Sequence, residues 1–221
     1  MRTERTIQPR YADRADAGRR LATYLEKYAG HRDVIVLALP RGGVPVGFEV
    51  AQALDVPLDV FVVRKLGLPW QEELAVGAIA SGGAVVLNDD VVRLSGITRE
   101  QIDRVTRVEE AELRRREQEY RGDRPFPDLT GKTVILVDDG LATGATMRAA
   151  VEALRREGPA RVVVAVPVAA GETCRRLETV ADDVVCAMTP DPFEAVGLWY
   201  HDFAQTSDAE VQTLLLRARA A

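Results

Sequence analysis

The chain predicts an α/β fold, a mainly parallel central sheet flanked by helices, and three observations predict it. Short, wholly apolar runs rich in β-branched residues recur, such as DVIVLAL at 33–39 and ARVVVAVPV at 160–168. Runs of that kind are strands covered on both faces. Stretches of helical periodicity separate them, which is the βαβ rhythm of a parallel sheet with right-handed crossovers. Finally, the residues least suited to a core, PRGG at 40–43, RK at 64–65 and DDGLATGAT at 138–146, all follow apolar runs. That is the end of a parallel strand where α/β proteins bind ligands.

The elements follow in order. Residues 14–29 put Leu21, Tyr24, Leu25 and Tyr28 on one helical face. The strand 33–39 ends at Pro40-Arg41-Gly42-Gly43, and 44–54 reads as a helix with Pro45 in its first turn. PLDVFVVRKL at 57–66 reads as a second buried strand ending in Arg64-Lys65. Residues 77–89 read as a hairpin turning at Gly82-Gly83. Residues 98–120 form a charged helix with Glu/Arg pairs at helical spacing, either solvated or facing a second copy. A strand at 133–138, a helix at 144–157 and the strand 160–168 come next. A helix at 171–180, a strand at 182–188 and a last helix at 207–219 complete the chain, with no internal repeat.

Bulk composition narrows the functional classes. The 221 residues carry a net charge of -5, which argues against a nucleic-acid surface or a membrane-binding basic patch. No apolar run approaches the ~18 residues of a membrane span. The polar first twenty residues do not read as a secretory signal, so a cytoplasmic protein is expected. Cys174 and Cys186 lack metal-ligand spacing and are expected as separate buried thiols. Neither His31 nor His201 has a partner pattern for catalysis or metal binding.

The chemistry sits in VILVDDGLATGAT, 134–146. Small residues running into a helix start let backbone amides close on an anion, where unpaired N–H groups and the helix dipole favour it. Thr143 and Thr146 add hydroxyl donors, so a phosphate monoester fits. Asp138 and Asp139 would repel that phosphate and suit hydroxyls instead, such as a ribose diol on the same ligand. Asp-Asp-Gly alone would be a capped turn; the whole string is far more specific. The chain has no G-x-x-x-x-G-K-[ST] loop and no G-x-G-x-x-G spacing.

This string resembles the thirteen-residue signature of type I phosphoribosyltransferases, in its adenine-enzyme form, where Leu-Ala-Thr-Gly follows the acidic pair. LPRGG resembles the family's pyrophosphate loop, and VVRKLGLP the Arg-Lys pair ahead of its mobile loop. The whole chain resembles bacterial phosphoribosyltransferases sharing the LPRGGVPVG and VDDGLATGATM blocks.

The resemblance implies the type I phosphoribosyltransferase fold in one domain over 1–221. Residues 33–88 and 130–188 would be core, 89–129 a helical insertion, and 189–221 a small hood with the C-terminal helix. It implies transfer of a phosphoribosyl group from phosphoribosyl pyrophosphate (PRPP) to a nitrogenous acceptor, with Mg²⁺ arriving on PRPP. A non-catalytic PRPP-binding regulator of the same fold is the alternative. Asp138 and Asp139 would hold the ribose hydroxyls and, indirectly, the metal. Ala142, Thr143, Gly144, Ala145 and Thr146 would hold the 5′-phosphate, and Arg41, Gly42, Gly43, Arg64 and Lys65 the pyrophosphate.

Ala142 stands where hypoxanthine-guanine enzymes carry an acid, so proton transfer falls to the mobile loop, with Glu72 and Glu73 as candidates beside their plainer reading as surface charges. Phe193 and Tyr200 are candidates to stack on the acceptor, with Trp199 a further wall or simply core. Gly140 replaces the family's usual aliphatic residue and is expected to loosen the loop. Dimerisation, common in the fold, is expected, with the 98–120 helix as a contact.

Overall fold

In the computed structural model the described residues are 10–220, with Glu72 and Glu73 described as backbone only. The polar segment ahead of residue 10 lies outside them. Five strands form a wholly parallel sheet: β1 (Val34–Ala38), β2 (Leu58–Val60), β6 (Thr133–Val137), β7 (Arg161–Val168) and β8 (Asp183–Met188), in the order β2-β1-β6-β7-β8. Sequence order runs outward in both directions from the β1/β6 pair, so the switch point lies between those two strands. Their register pairs Ala38 with Val137. The loops leaving β1 and β6 therefore emerge side by side, and that is the crevice where such sheets bind ligands.

Both faces of the sheet are dry, as the apolar runs require. Val34, Val36, Ala38, Ile135 and Val137 face one core, shared with α1 (Arg14–Ala22), α2 (Gly43–Leu54) and α7 (Asp208–Ala220). Ile35, Leu37, Val134, Leu136 and Val164 face the other, shared with α5 (Ala145–Leu154) and α6 (Gly171–Leu177). The first helix is shorter than its periodicity suggests: it stops at Ala22, and Glu26–Tyr28 form a separate 3₁₀ turn.

The expected strand 57–66 divides in two. β2 ends at Val60, and Val63–Leu68 becomes β3 of a separate antiparallel sheet with β4 (Gln71–Ala80) and β5 (Val85–Leu87). One unbroken apolar stretch conceals the break, because Phe61 and Val62 are both fully buried while the chain changes sheets. Buried Ser81 fixes the crossing: its hydroxyl accepts from the Val62 amide at 3.0 Å, and its own amide donates to the Val62 carbonyl at 2.9 Å. Gly82 and Gly83 turn the β4–β5 hairpin at φ +86° and +84°, which only glycine adopts without strain. β4 starts six residues before the expected hairpin, which places Glu72 and Glu73 on a strand and not in a loop.

Between β5 and β6 lie α3 (Asp89–Ser95) and α4 (Arg99–Arg121). Thr98 and Gln101 close a reciprocal capping box at the start of α4. Its far end is held by Arg121, which is buried against Asp59 (3.2 Å), Glu117 (3.1 Å) and the Val60 carbonyl (2.9 Å). No helix among the described residues is long and apolar enough to cross a membrane.

Cys174 on α6 and Cys186 on β8 form a disulfide, a correction to the expectation of separate thiols. α6 returns alongside β8 and brings the two Cα atoms within 6.7 Å, inside the range a disulfide spans. That proximity belongs to the crossover and leaves no mark in the spacing. Denatured without reductant, the protein should take up no thiol-alkylating reagent at these positions, and two equivalents after reduction. Labelling at both before reduction would contradict the bond.

Candidate active site at the sheet switch point

β6 ends at Val137, and the next two residues carry the paired carboxylates into the crevice. The loop from β1 lies hard against them. A Cβ on Gly42 would sit 2.1 Å from Asp139 Oδ2, and one on Gly43 would sit 2.8 Å from the Val137 carbonyl. Only glycine allows the two loops this close. The Pro40–Arg41 peptide bond between β1 and the glycines is cis.

Asp138 accepts the Asp139 amide at 2.9 Å through Oδ1. Asp139 meets Arg14 of α1, whose Nε donates to Oδ2 at 2.8 Å. Burial pushes the Asp138 carboxyl well up from the usual range, and the neighbouring Asp139 charge adds to it. Burial raises Asp139 as well, with Arg14 pulling against it. Two carboxylates held this close and this dry are poised for a partner that offers hydroxyls or positive charge.

The small-residue loop follows directly. Leu141 is buried and bridges to Ala169, anchoring the loop to β7. Ala142, Thr143, Ala145 and Thr146 are exposed around Gly144, which caps α5 at φ +73°. A Cβ on Gly144 would stand 2.6 Å from Thr173 Cγ2. The Thr173 hydroxyl donates to the Ala142 carbonyl at 2.7 Å, and Arg176 Nη2 reaches the Thr143 carbonyl at 3.5 Å. α6 thus occupies the loop's carbonyls, while the amides opening α5 are those a helix leaves without internal partners. An anion at Ala142–Thr146 would meet those amides and the positive end of the helix dipole.

The remaining cations sit on different elements. Arg41 points toward α7 and pairs with Asp208 at 3.5 Å; Asp208 also accepts from the Tyr120 hydroxyl of α4. Arg64 and Lys65 lie at the start of β3, not at the end of a parallel strand. Arg64 grips Glu109 of α4 through Nη2 at 2.7 Å and Nε at 2.8 Å. Both residues line a cleft of about 800 Å³ between the β3–β4 hairpin, α4 and the first turn of α5, which they share with Ala145 and Thr146. Glu72 and Glu73 fall in β4, and their side chains lie outside the described residues.

The C-terminal segment closes the crevice from the other side. Tyr200 is 4% exposed; its ring contacts Tyr11 (5.4 Å) and Phe203 (4.9 Å), and its hydroxyl donates to the Asp139 carbonyl. Phe193 is half-buried beside this cluster. Trp199 packs there too, with an indole N–H that is buried without a partner among the described residues. Val196 lies over Gly140, where a Cβ would come within 2.5 Å of its Cγ1 and 3.0 Å of the Val168 carbonyl. Glycine at 140 therefore tightens the contact between loop, β7 and C-terminal segment, the reverse of the expected loosening.

Arg14 is the site residue that sequence reading missed. It opens α1, where a cation opposes the helix dipole. That position is a weak signal, since Arg99 opens α4 in the same way and pairs with Asp103 of its own helix.

Residues 10–202 match the phosphoribosyl transferase domain family. The chain is 51% identical over 208 residues to the Mycobacterium tuberculosis (strain H37Rv) protein named "Putative phosphoribosyl transferase Rv0571c", an alignment covering 94% of this chain and 47% of that protein. It thus spans about half the length of that relative. It is 31% identical over 166 residues to the "Bifunctional protein PyrR" of Roseiflexus sp. (strain RS-1), covering 72% of this chain and 67% of that one. The crystal structure of TT1426 from Thermus thermophilus is similar at a TM-score of 0.84 and 44% identity, covering 94% of this chain and 98% of that one. The family match takes in both loops of the switch point and the closing segment as far as Asp202, and the chain belongs to the phosphoribosyl transferase domain family.

Proposed function

We propose that the protein transfers the phosphoribosyl group of PRPP to a nitrogenous acceptor, with the donor site at the β1/β6 switch point. One observation carries this reading. The carboxylate pair Asp138–Asp139 lies between a glycine loop that approaches within van der Waals contact and a small-residue loop that opens α5. A sugar bearing one phosphate at C5 and another group at C1 spans such an arrangement; a plain phosphate or a plain sugar uses only part of it.

In this reading Asp138 and Asp139 accept hydrogen bonds from the ribose 2′- and 3′-hydroxyls. Ala142–Thr146 receive the 5′-phosphate on backbone amides and the hydroxyls of Thr143 and Thr146. Gly42 and Gly43 let the β1 loop close on the diphosphate, and Arg41 leaves Asp208 to neutralise it. Arg64 and Lys65 add positive charge from β3. The C1–oxygen bond breaks with its electron pair leaving on the diphosphate, a nitrogen lone pair forms the new bond at C1, and that nitrogen gives up a proton. Holding the donor and stabilising the departing charge are the protein's main contributions. Glu72 and Glu73 remain the candidates to take the proton. Phe193 has a partly open ring for the acceptor, whereas Tyr200 serves by holding the Asp139 backbone.

The donor set also fits Mg²⁺. Among the described residues no group of three or more acidic, histidine or cysteine side chains could cage a metal alone. Two carboxylates suit an ion that brings oxygens with it from its phosphates. Asp138 and Asp139 would hold that ion, which supplies charge neutralisation to the diphosphate.

The test is release of pyrophosphate from Mg²⁺ and PRPP against a panel of purine and pyrimidine bases. Turnover with one acceptor is expected. Tight PRPP binding without turnover for any acceptor would replace this reading with a second one, a PRPP-sensing regulator, which the similarity to the PyrR protein favours.

A further inference from the structure

We infer that Arg14 is a positioning residue that fixes the carboxylate of Asp139 for the ribose and ties it to the C-terminal segment, so that donor site and closing segment move as one unit. The inference rests on the phosphoribosyl reading of the site.

Arg14 makes three contacts from one guanidinium. Nε donates to Asp139 Oδ2 at 2.8 Å, Nη1 donates to the Ala204 carbonyl at 2.7 Å, and Cζ lies over the Phe203 ring, 4.0 Å from its centre. The side chain is only 12% exposed and that of Asp139 16%, so the pair is little screened by water. A Cβ on Gly42 would also come within 3.3 Å of Nε, which places Arg14 at the seam between the β1 loop and the acid pair. The planar fork is what permits this: one edge faces the carboxylate, another the carbonyl, and the face covers an aromatic ring.

The consequence is geometric. Asp139 is held by Arg14 at its side chain and by the Tyr200 hydroxyl at its carbonyl, and both tethers lead to residues 200–204. Among the described residues, Asp139 alone of the two carboxylates has this support; Asp138 accepts the Asp139 amide. Displacing residues 200–204 would release Asp139, and a freed carboxylate loses the orientation that a 2′,3′-diol requires. A lysine at 14 keeps the charge but offers one ammonium for two acceptors on different segments, and it cannot stack.

The test compares calorimetric binding of ribose 5-phosphate, inorganic diphosphate and Mg²⁺-PRPP to wild type, Arg14→Lys and Arg14→Met. Ribose 5-phosphate needs Asp139, whereas diphosphate needs only the β1 loop and its cations. Arg14→Met should lose about 10- to 100-fold for ribose 5-phosphate and PRPP, the worth of an oriented charge-assisted hydrogen bond, and stay within about 3-fold for diphosphate. Arg14→Lys should fall between. In an Asp139→Asn background, Arg14→Lys should have little further effect, because the pair acts as a unit. Equal losses for ribose 5-phosphate and diphosphate, or additive effects in that background, would show a merely structural arginine and overturn the inference. If Arg14→Met does not fold, Arg14→Lys and the double-substitution cycle decide it. Wild type that binds PRPP while Arg14→Lys binds ribose 5-phosphate equally well overturns the positioning role alone. Wild type that binds neither PRPP nor ribose 5-phosphate removes the phosphoribosyl reading, and this inference with it.

Discussion

Asp138→Asn together with Asp139→Asn is expected to weaken Mg²⁺-PRPP binding at least ~100-fold, whereas Asp138→Asn alone is expected to raise the thermal midpoint of the ligand-free protein. The loss follows from removing two charge-assisted acceptors, each worth roughly 1.5–3 kcal/mol, and the positive charge of the ligand's metal loses its partners with them. The gain follows from burial, which raises the Asp138 carboxyl well above its ordinary range, with the charge on Asp139 adding to the shift. A carboxyl whose folded pKa lies above its unfolded value of about 3.9 favours the folded state fully when protonated. That contribution fades as pH rises from there through the raised folded value. Once ionised, Asp138 is therefore a strain on the fold that asparagine relieves. Asp138→Asn alone isolates the effect, because it leaves the Arg14–Asp139 pair in place. The difference in midpoint between Asp138→Asn and wild type should be near zero toward pH 4 and widen upward. PRPP affinity of the wild type should rise over the same window as the pair ionises. A calorimetric binding series and a thermal melt against pH check both, and unchanged affinity in the double variant would undo the site assignment.

Opposite signs for binding and stability are what a functional site predicts, and they bear on how much of this molecule its sequence discloses. The β1 run 33–39 and the β6 run ahead of Asp138 announce themselves because a strand buried on both faces admits no polar residue. The switch-point loops announce themselves because PRGG and DDGLATGAT are poor core material in a place that should be core. What failed to show depends on distance. Val62 and Val63 are both apolar, yet the chain leaves one sheet between β2 and β3, and only the Ser81 contacts reveal it. Arg64 and Lys65 were legible as cations near the site, but Arg64's engagement with Glu109 needs α4 folded over β3. Tyr200 reads as an aromatic in a candidate hood; its burial between Tyr11 and Phe203 depends on a segment from the opposite end of the chain. Cys174 and Cys186 meet only through a crossover. Local propensity sees one element at a time, whereas the site is assembled from the ends of several.

Gly140→Val is expected to destabilise the protein by about 1–3 kcal/mol, a drop of roughly 2–12 °C in thermal midpoint for a chain of this size. The substitution restores the aliphatic residue that the phosphoribosyltransferase signature carries after its acidic pair, and on sequence grounds it should be benign or stabilising. The structure gives the opposite sign. Gly140 is not held at a positive φ, so the cost read from the structure is one of space: the new Cβ meets Val196 Cγ1 at 2.5 Å and the Val168 carbonyl at 3.0 Å. Val196 is β-branched and half-buried, with few alternative rotamers to adopt. Val168 is fully buried on β7, and its carbonyl accepts the Leu141 amide at 2.9 Å, so it cannot retreat without unseating the loop that follows the acid pair. The two obstacles separate experimentally. Gly140→Ala with Val196→Ala should recover the share owed to Val196 and leave the share owed to the Val168 carbonyl, so rescue is partial. Full rescue would mean the β7 backbone yields; no loss in Gly140→Val would mean the C-terminal segment does not rest on the loop at all. In the expected case, 5′-phosphate binding falls together with stability, because the same glycine that admits Val196 also lets the loop close against β7.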